Sequence, residues 1–129
     1  MARIEKFEDI ESWKSAREVT QLVYAISSNG IFAKDFALCN QIRRASVSIL
    51  SNIAEGFERE GNKEFVHFLT IAKGSCGEVR AQLYVALDQN YIDETQFSEI
   101  YKKLLEISRL IAGLMKYLKQ SEMRGSKFS

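Results

Sequence analysis

Apolar residues recur every three or four positions in four stretches of the chain, and short polar breaks separate the stretches. This spacing is typical of amphipathic helices, because it places the apolar side chains on one face. It predicts helices over residues 8–28, 35–56, 62–89 and about 93–120. In the first of these, the apolar positions are Ile10, Trp13, Ala16, Val19, Val23 and Ile26. No stretch between the helices shows the alternation of a strand.

Residues with strong capping preferences stand at the predicted helix ends. Asp35 is placed to cap the second helix, whose C-terminal signal is Gly56. Asp93 and Gln96 have the spacing of a capping box, in which each side chain accepts from the other residue's backbone N–H. These signals support the boundaries that the apolar spacing predicts.

The predicted connections are short, which forces neighbouring helices to run antiparallel. We therefore predict an all-α fold, an antiparallel up-down-up-down four-helix bundle that forms a single domain over residues 1–129. Residues 121–129 have no periodic pattern and are predicted to form a disordered tail. No segment has the length and apolar character of a membrane span, and the charged N-terminus differs from a signal peptide, so a cytoplasmic protein is expected.

The apolar arcs of the second and fourth predicted helices are wider than a monomeric bundle requires. On the fourth helix the arc covers roughly 220°, whereas one core-facing stripe needs about 100°. The excess predicts a second buried surface and hence a homo-oligomer. The alternative is that these residues lie at the edges of an ordinary core.

A sector of small polar residues runs along the second helix, and a matching set lies on the third. It predicts a polar seam between the two helices, with an Arg44–Glu78 ion pair and close backbone approach at Gly74 and Gly77. In the expected register, Ser48 lies near Ile71 and Arg44 near Ser75. The candidate seam residues are Gln41, Arg44, Ser48, Asn52, Ser75 and Glu78.

The overall charge argues against a strongly basic nucleic-acid binder, because 18 Lys and Arg residues face 17 Asp and Glu residues and the net charge is +1. A local patch is still possible, and the candidate nucleic-acid or partner contacts are Arg43, Arg59, Lys63, Lys73 and Arg80. Arg43 stands out because it lies on an apolar flank, where it would reach a second subunit or line a pore. The alternative is that these residues are simply solvated.

Known catalytic patterns are absent from the sequence. The chain has one histidine, His67, so a two-histidine metal site cannot form, and no phosphate-binding glycine loop or serine-nucleophile motif occurs. Cys39 and Cys76 lack metal-ligand spacing and are expected to be buried free thiols. We therefore expect no enzyme activity, no catalytic residues, no cofactor and no metal.

The segments QIRRASVSILSNIAEGFER, EFVHFLTIAKGSCGEVRAQL and ALDQNYID, together with FEDIESWKSAREV near the N-terminus, resemble the 23S rRNA intervening-sequence proteins. The resemblance implies a four-helix bundle that assembles as a ring, often a pentamer, and it implies no established enzyme activity. Related accessory proteins of diversity-generating retroelements bind nucleic acid and a reverse transcriptase, but those bundles are basic and this chain is nearly neutral. Leu50 stands where proline is common in the family, which predicts a straighter second helix.

Three functions remain open on these grounds. The first is a non-enzymatic oligomeric bundle of the intervening-sequence type. The second is an RNA- or DNA-binding accessory protein that uses a basic face of the oligomer, and the third is an adaptor that binds only proteins.

Overall fold

The computed structural model describes the backbone of residues 4–128 and the side chains of residues 4–121. Its four α-helices are α1 (Glu11–Ser27), α2 (Phe36–Glu58), α3 (Asn62–Asp88) and α4 (Glu94–Phe128), with 3₁₀ turns at Phe7–Asp9 and Phe32–Lys34. Helix α2 packs on α3, α3 on α4, and α1 on both α2 and α4. Since no strand occurs in the described part, the predicted all-α antiparallel four-helix bundle is confirmed.

Two predicted helix starts form as expected. The Asp35 side chain accepts a hydrogen bond from the Leu38 N–H at 3.1 Å, which caps α2. Asp93 and Gln96 form the reciprocal capping box at 2.8 and 2.9 Å. The second Asp35 oxygen accepts a hydrogen bond from the Tyr91 hydroxyl at 2.9 Å, so one carboxylate links the start of α2 to the α3–α4 connection.

The C-terminal ends of α2 and α4 differ from the prediction. Helix α2 continues past Gly56 to Glu58, and α4 continues to Phe128. The predicted disordered tail is therefore wrong for residues 121–128, while residue 129 lies outside the described residues, as do residues 1–3. The chain beyond residue 120 contains no proline, and adding residues to an existing helix costs little free energy.

The core accounts for most of the apolar width of α4. Phe97, Tyr101, Leu114 and Met115 pack half-buried against the buried side chains of the other helices. On α2 the excess stays at the surface, where Phe36 is 74% and Val47 37% exposed. The wide apolar arc of α4 is thus largely buried against the other helices of the same chain. The wide apolar arc of α2 is not, so its outer residues stay exposed. None of the described helices is both long and apolar enough to cross a membrane.

Helices α2 and α3 approach each other closely at Gly56. A Cβ atom on Gly56 would lie 2.8 Å from the Phe68 Cβ and 2.9 Å from the Phe65 Cδ1. At Gly74 a Cβ would meet nothing within 4 Å, and at Gly77 it would meet only the Arg80 guanidinium at 3.7 Å. The prediction of close approach at Gly74 and Gly77 is therefore wrong.

The register of α2 against α3 is one helical turn away from the expected one. The Ser48 and Ser75 hydroxyl oxygens are 2.9 Å apart, whereas the sequence analysis placed Arg44 beside Ser75. Part of the physical reason lies at Gly56, which is an interior contact residue and not the end of the helix. Because α2 runs two residues further, the chain reverses later, which accounts for about half of the four-residue shift.

Substitution of Gly56 by alanine is expected to destabilise the protein by about 1 to 3 kcal/mol, because the added methyl group overlaps Phe65 and Phe68. Gly113→Ala in α4 is the matched control, since a Cβ there meets nothing within 4 Å. The control should stabilise the protein by about 1 kcal/mol through helix propensity. Urea unfolding at one fixed protein concentration measures both changes, and equal effects would contradict the close approach.

Candidate interhelical seam and basic groove

Three of the six predicted seam residues meet between α2 and α3. The Ser48 and Ser75 hydroxyls share a hydrogen bond, and the Asn52 side-chain amide donates to the Ser48 carbonyl at 2.8 Å and to its hydroxyl at 3.0 Å. Ser75 is only 7% exposed, so its hydroxyl needs this partner within the protein. These contacts make a small, satisfied polar cluster with no free nucleophile.

The other three seam residues are exposed. Gln41, Arg44 and Glu78 lie at the surface, and the Glu78 carboxylate accepts a hydrogen bond from the Gln82 amide at 3.3 Å. Although the one-turn shift brings Arg44 and Glu78 to about the same level, no ion pair joins them. The predicted pair is therefore wrong, because both side chains extend into water, where pairing gains little.

Arg43 makes its contacts within its own chain. Its Nε donates to the Ser27 hydroxyl at 2.8 Å and one terminal nitrogen donates to the Ser28 hydroxyl at 3.1 Å. The guanidinium also lies over the Tyr24 ring, 4.7 Å from its centre. A cation at the C-terminal end of α1 is favourable for the helix dipole. The position of Arg43 on an apolar flank of α2 is thus explained by its contacts with the end of α1.

The five predicted basic contacts do not form one surface. Arg43 and Arg59 are 16 residues apart on and just after α2, which is about 24 Å along a helix. Arg59 pairs with Glu55 at 3.0 Å and covers the Phe68 ring at 5.1 Å. Lys63 is exposed in the first turn of α3. Only Lys73 and Arg80 lie on the side of α3 that faces α4.

Lys73 belongs to a groove between α3 and α4, which we call the α3–α4 groove. It has a volume of about 340 Å³. Lysines line it from both helices above a floor of Ala112 and Met115; the lining residues are Lys73, Ala112, Met115, Lys116, Lys119 and Gln120. The sequence alone does not reveal this set, because Lys73 and Lys116 are 43 positions apart and come together only when α3 and α4 pack. The signal that could have indicated the groove is that Lys73 and Lys116 each lie beside the predicted apolar stripe of their helix.

Arg80 continues the same interface away from the lysines. One of its terminal nitrogens donates to the Ser108 hydroxyl at 3.3 Å, and its guanidinium carbon lies 6.0 Å from the Tyr101 ring centre. Beyond Arg80, three aromatic rings form a cluster. Phe97 and Tyr101 stack with centres 5.2 Å apart, and Tyr84 contacts them at 4.9 and 5.8 Å. The neighbouring Tyr101 hydroxyl raises the pKa of the Tyr84 phenol.

The remaining reactive groups of the described residues include two thiols and one imidazole. Cys39 and Cys76 are both buried free thiols, as predicted. Burial raises the pKa of Cys76 to about 11, against smaller opposing effects of Ser108, Arg80 and Lys73, so the thiol stays protonated at neutral pH. His67 is exposed beside the Phe68 ring. Among the described residues no group of His, Cys, Asp and Glu side chains is arranged to hold a metal ion.

Comparison with known proteins assigns the chain to a protein family. Residues 8–113 match the family described as 23S rRNA-intervening sequence protein. The chain belongs to this family. A crystal structure of a protein of unknown function from the S23 ribosomal protein family of Bacteroides thetaiotaomicron VPI-5482 has a similar fold, with a TM-score of 0.75 and 25% identity over 81% of this chain and 98% of that one. Comparison with curated protein sequences gives no match.

The family membership confirms the resemblance seen in the sequence, and the structural neighbour supports the bundle. Neither comparison indicates an enzyme activity, because the family description names no reaction and the neighbour's function is unknown. The matched region ends at residue 113, so it includes Lys73 and Arg80 but not Lys116 or Lys119.

Arg43→Met should destabilise the protein by about 1.5 to 3 kcal/mol, since it removes two hydrogen bonds from a charged group and leaves the hydroxyl of the buried Ser27 without its donor. Arg44→Met is the matched control one residue away, and an exposed substitution of this kind should change stability by less than about 0.5 kcal/mol. Thermal or urea unfolding compares the two. A loss of similar size in both variants would contradict the role assigned to Arg43.

Proposed function

We propose that this chain is a non-enzymatic bundle that assembles with copies of itself through the outer surface of α2 and α3. The carrying observation is a partly apolar strip with few charges at that surface, which we call the α2–α3 outer face. At helical spacing its residues are Asn40, Val47, Ser51, Ile71, Gly74, Glu78 and Val85. Glu78 is a charged member of this set, and the exposed Arg44 lies beside it at the α2 edge of the face.

Exposure of the apolar members supports a docked partner. Val47 is 37%, Ile71 40% and Val85 46% exposed, although β-branched apolar side chains are normally among the most buried. Gly74 lies between them, and a Cβ there meets nothing within 4 Å. A neighbouring helix could therefore approach α3 closely at Gly74 while covering Ile71 and Val85.

A second copy is the partner that this surface favours, and the family resemblance favours a ring such as a pentamer. In a ring this face meets a different patch of the next copy, and the ring closes when the rotation between subunits permits it. The two buried free thiols fit a reducing compartment, which supports a cytoplasmic location.

The absence of enzyme activity is part of the same proposal. General acids, bases and nucleophiles work best with pKa values near the working pH. Within the described residues, the resolved shifts raise the pKa of Cys76, Tyr84 and Tyr91, which moves these groups further from neutrality. Such shifts fit buried or hydrogen-bonded structural groups better than catalytic ones.

Nucleic-acid binding is the second candidate function, and one observation favours it despite the low net charge. Lysines from two helices converge on the α3–α4 groove. Converging cations attract phosphates locally even when the whole chain is nearly neutral. Binding of the wild-type chain to labelled RNA or DNA at about 50 mM salt tests this function, since phosphate contacts are strongest at low salt.

Light scattering should give a mass several times the chain mass of 14.8 kDa. Val85→Glu should shift the mass toward that of one chain, because an interface cannot easily bury an unpaired carboxylate. Tyr117→Glu is the control, since Tyr117 is 60% exposed on α4, away from the α2–α3 outer face. A monomeric wild-type chain, or equal dissociation by both variants, would contradict the proposed interface.

A further inference from the structure

The α3–α4 groove and the aromatic cluster lie on one continuous line along the α3–α4 interface. Lys73 marks one end on α3 and Tyr84 the other, with Arg80 between them. Eleven residues of helix separate Lys73 from Tyr84, which is about 16 Å. On α4 the same line runs from Lys116 back to Tyr101. Cations therefore occupy one end of the line and aromatic rings the other.

The cationic end is available for an outside ligand. Lys73 and Lys116 form no ion pair with a carboxylate of residues 4–121, as is true of most basic residues in that part of the chain, so both ammonium groups are free to meet a ligand. The groove floor of Ala112 and Met115 offers no competing negative charge. Ammonium groups that line one groove repel each other, and an anion bound among them relieves that repulsion.

The aromatic end offers a surface for stacking. Tyr84 is 49% exposed, although its ring packs against both Phe97 and Tyr101. These contacts hold the ring in place before any ligand arrives, so little conformational entropy is lost on binding. A half-exposed, fixed aromatic ring is the arrangement on which an unpaired base stacks.

We infer that the α3–α4 groove binds single-stranded nucleic acid, with phosphates between Lys73 and Lys116 and a base stacked on Tyr84. A single strand is favoured over a duplex because its bases are free to reach the ring. In a duplex the bases stack on one another, and its phosphates would meet the rim of a groove between two helices. This inference rests on the nucleic-acid-binding function proposed above and adds the form of the ligand and its orientation.

The contact types predict different responses. Replacing a phosphate-binding lysine lowers the steepness with which binding weakens as salt rises, by about 0.7 in the log–log slope for each contact with a single strand. Removing a stacking ring weakens binding and leaves that slope unchanged, because stacking releases no counterions. The two ends of the line are thereby separable in one titration series.

The experiment measures fluorescence anisotropy of a labelled 12-nucleotide oligouridine or oligothymidine, and of a duplex of the same length, from about 50 to 200 mM salt with the full chain. Tyr84→Ala should weaken single-strand binding roughly 5- to 100-fold with the salt slope unchanged, and Tyr84→Phe should restore it. Lys116→Ala should weaken binding and flatten the slope. The controls are Tyr117→Ala and Lys102→Ala, exposed residues outside the groove that should leave binding unchanged.

Three outcomes would overturn the inference. No binding of either ligand at about 50 mM salt removes the nucleic-acid function altogether. Binding of the duplex at least as tightly as the single strand, with Tyr84→Ala unaffected, leaves that function standing and removes the single-strand assignment. Equal losses of affinity in Lys116→Ala and Lys102→Ala would show that the strand is attracted diffusely to the surface and does not bind in the α3–α4 groove.

Discussion

The close approach of α2 and α3 at Gly56 is the contact on which the rest of the bundle depends. A helix without a side chain at that point settles against Phe65 and Phe68, and this contact sets both the register and the rotation of α3. The hydrogen bond between Ser48 and Ser75, two turns away, forms in that register. Once α3 is fixed on α2, the rotation of α3 decides which of its residues face α4.

The sequence was sufficient for the fold wherever local signals act alone. The apolar spacing, the Asp35 cap and the Asp93–Gln96 box identify helices and their starts, because each depends on residues within one or two turns. The predicted C-terminal end of α2 was wrong because glycine can serve either to end a helix or to let two helices pack closely. Glycine is a common helix terminator, yet at Gly56 the lack of a side chain serves packing between helices. Ending α2 there contributed to the one-turn error in the predicted register.

The candidate sites were harder to predict for the same reason. Ser48, Asn52 and Ser75 meet as the small polar sectors suggested, but Arg43 bonds to the end of α1, which its own helix cannot reveal. The α3–α4 groove joins side chains from distant parts of the chain. The composition argued against a basic binding site, because a net charge of +1 does not show that several lysines lie together in this groove.

The Asp35 carboxylate has a consequence for how the bundle opens. One oxygen holds the first turn of α2 and the other holds Tyr91, so the α1–α2 and α3–α4 connections share a single anchor at one end of the molecule. Phe32 strengthens the link by stacking on Tyr91 with ring centres 5.2 Å apart. We therefore expect local unfolding at that end to involve both connections as one cooperative unit, whereas the end around Gly56 is held by packing of aromatic side chains.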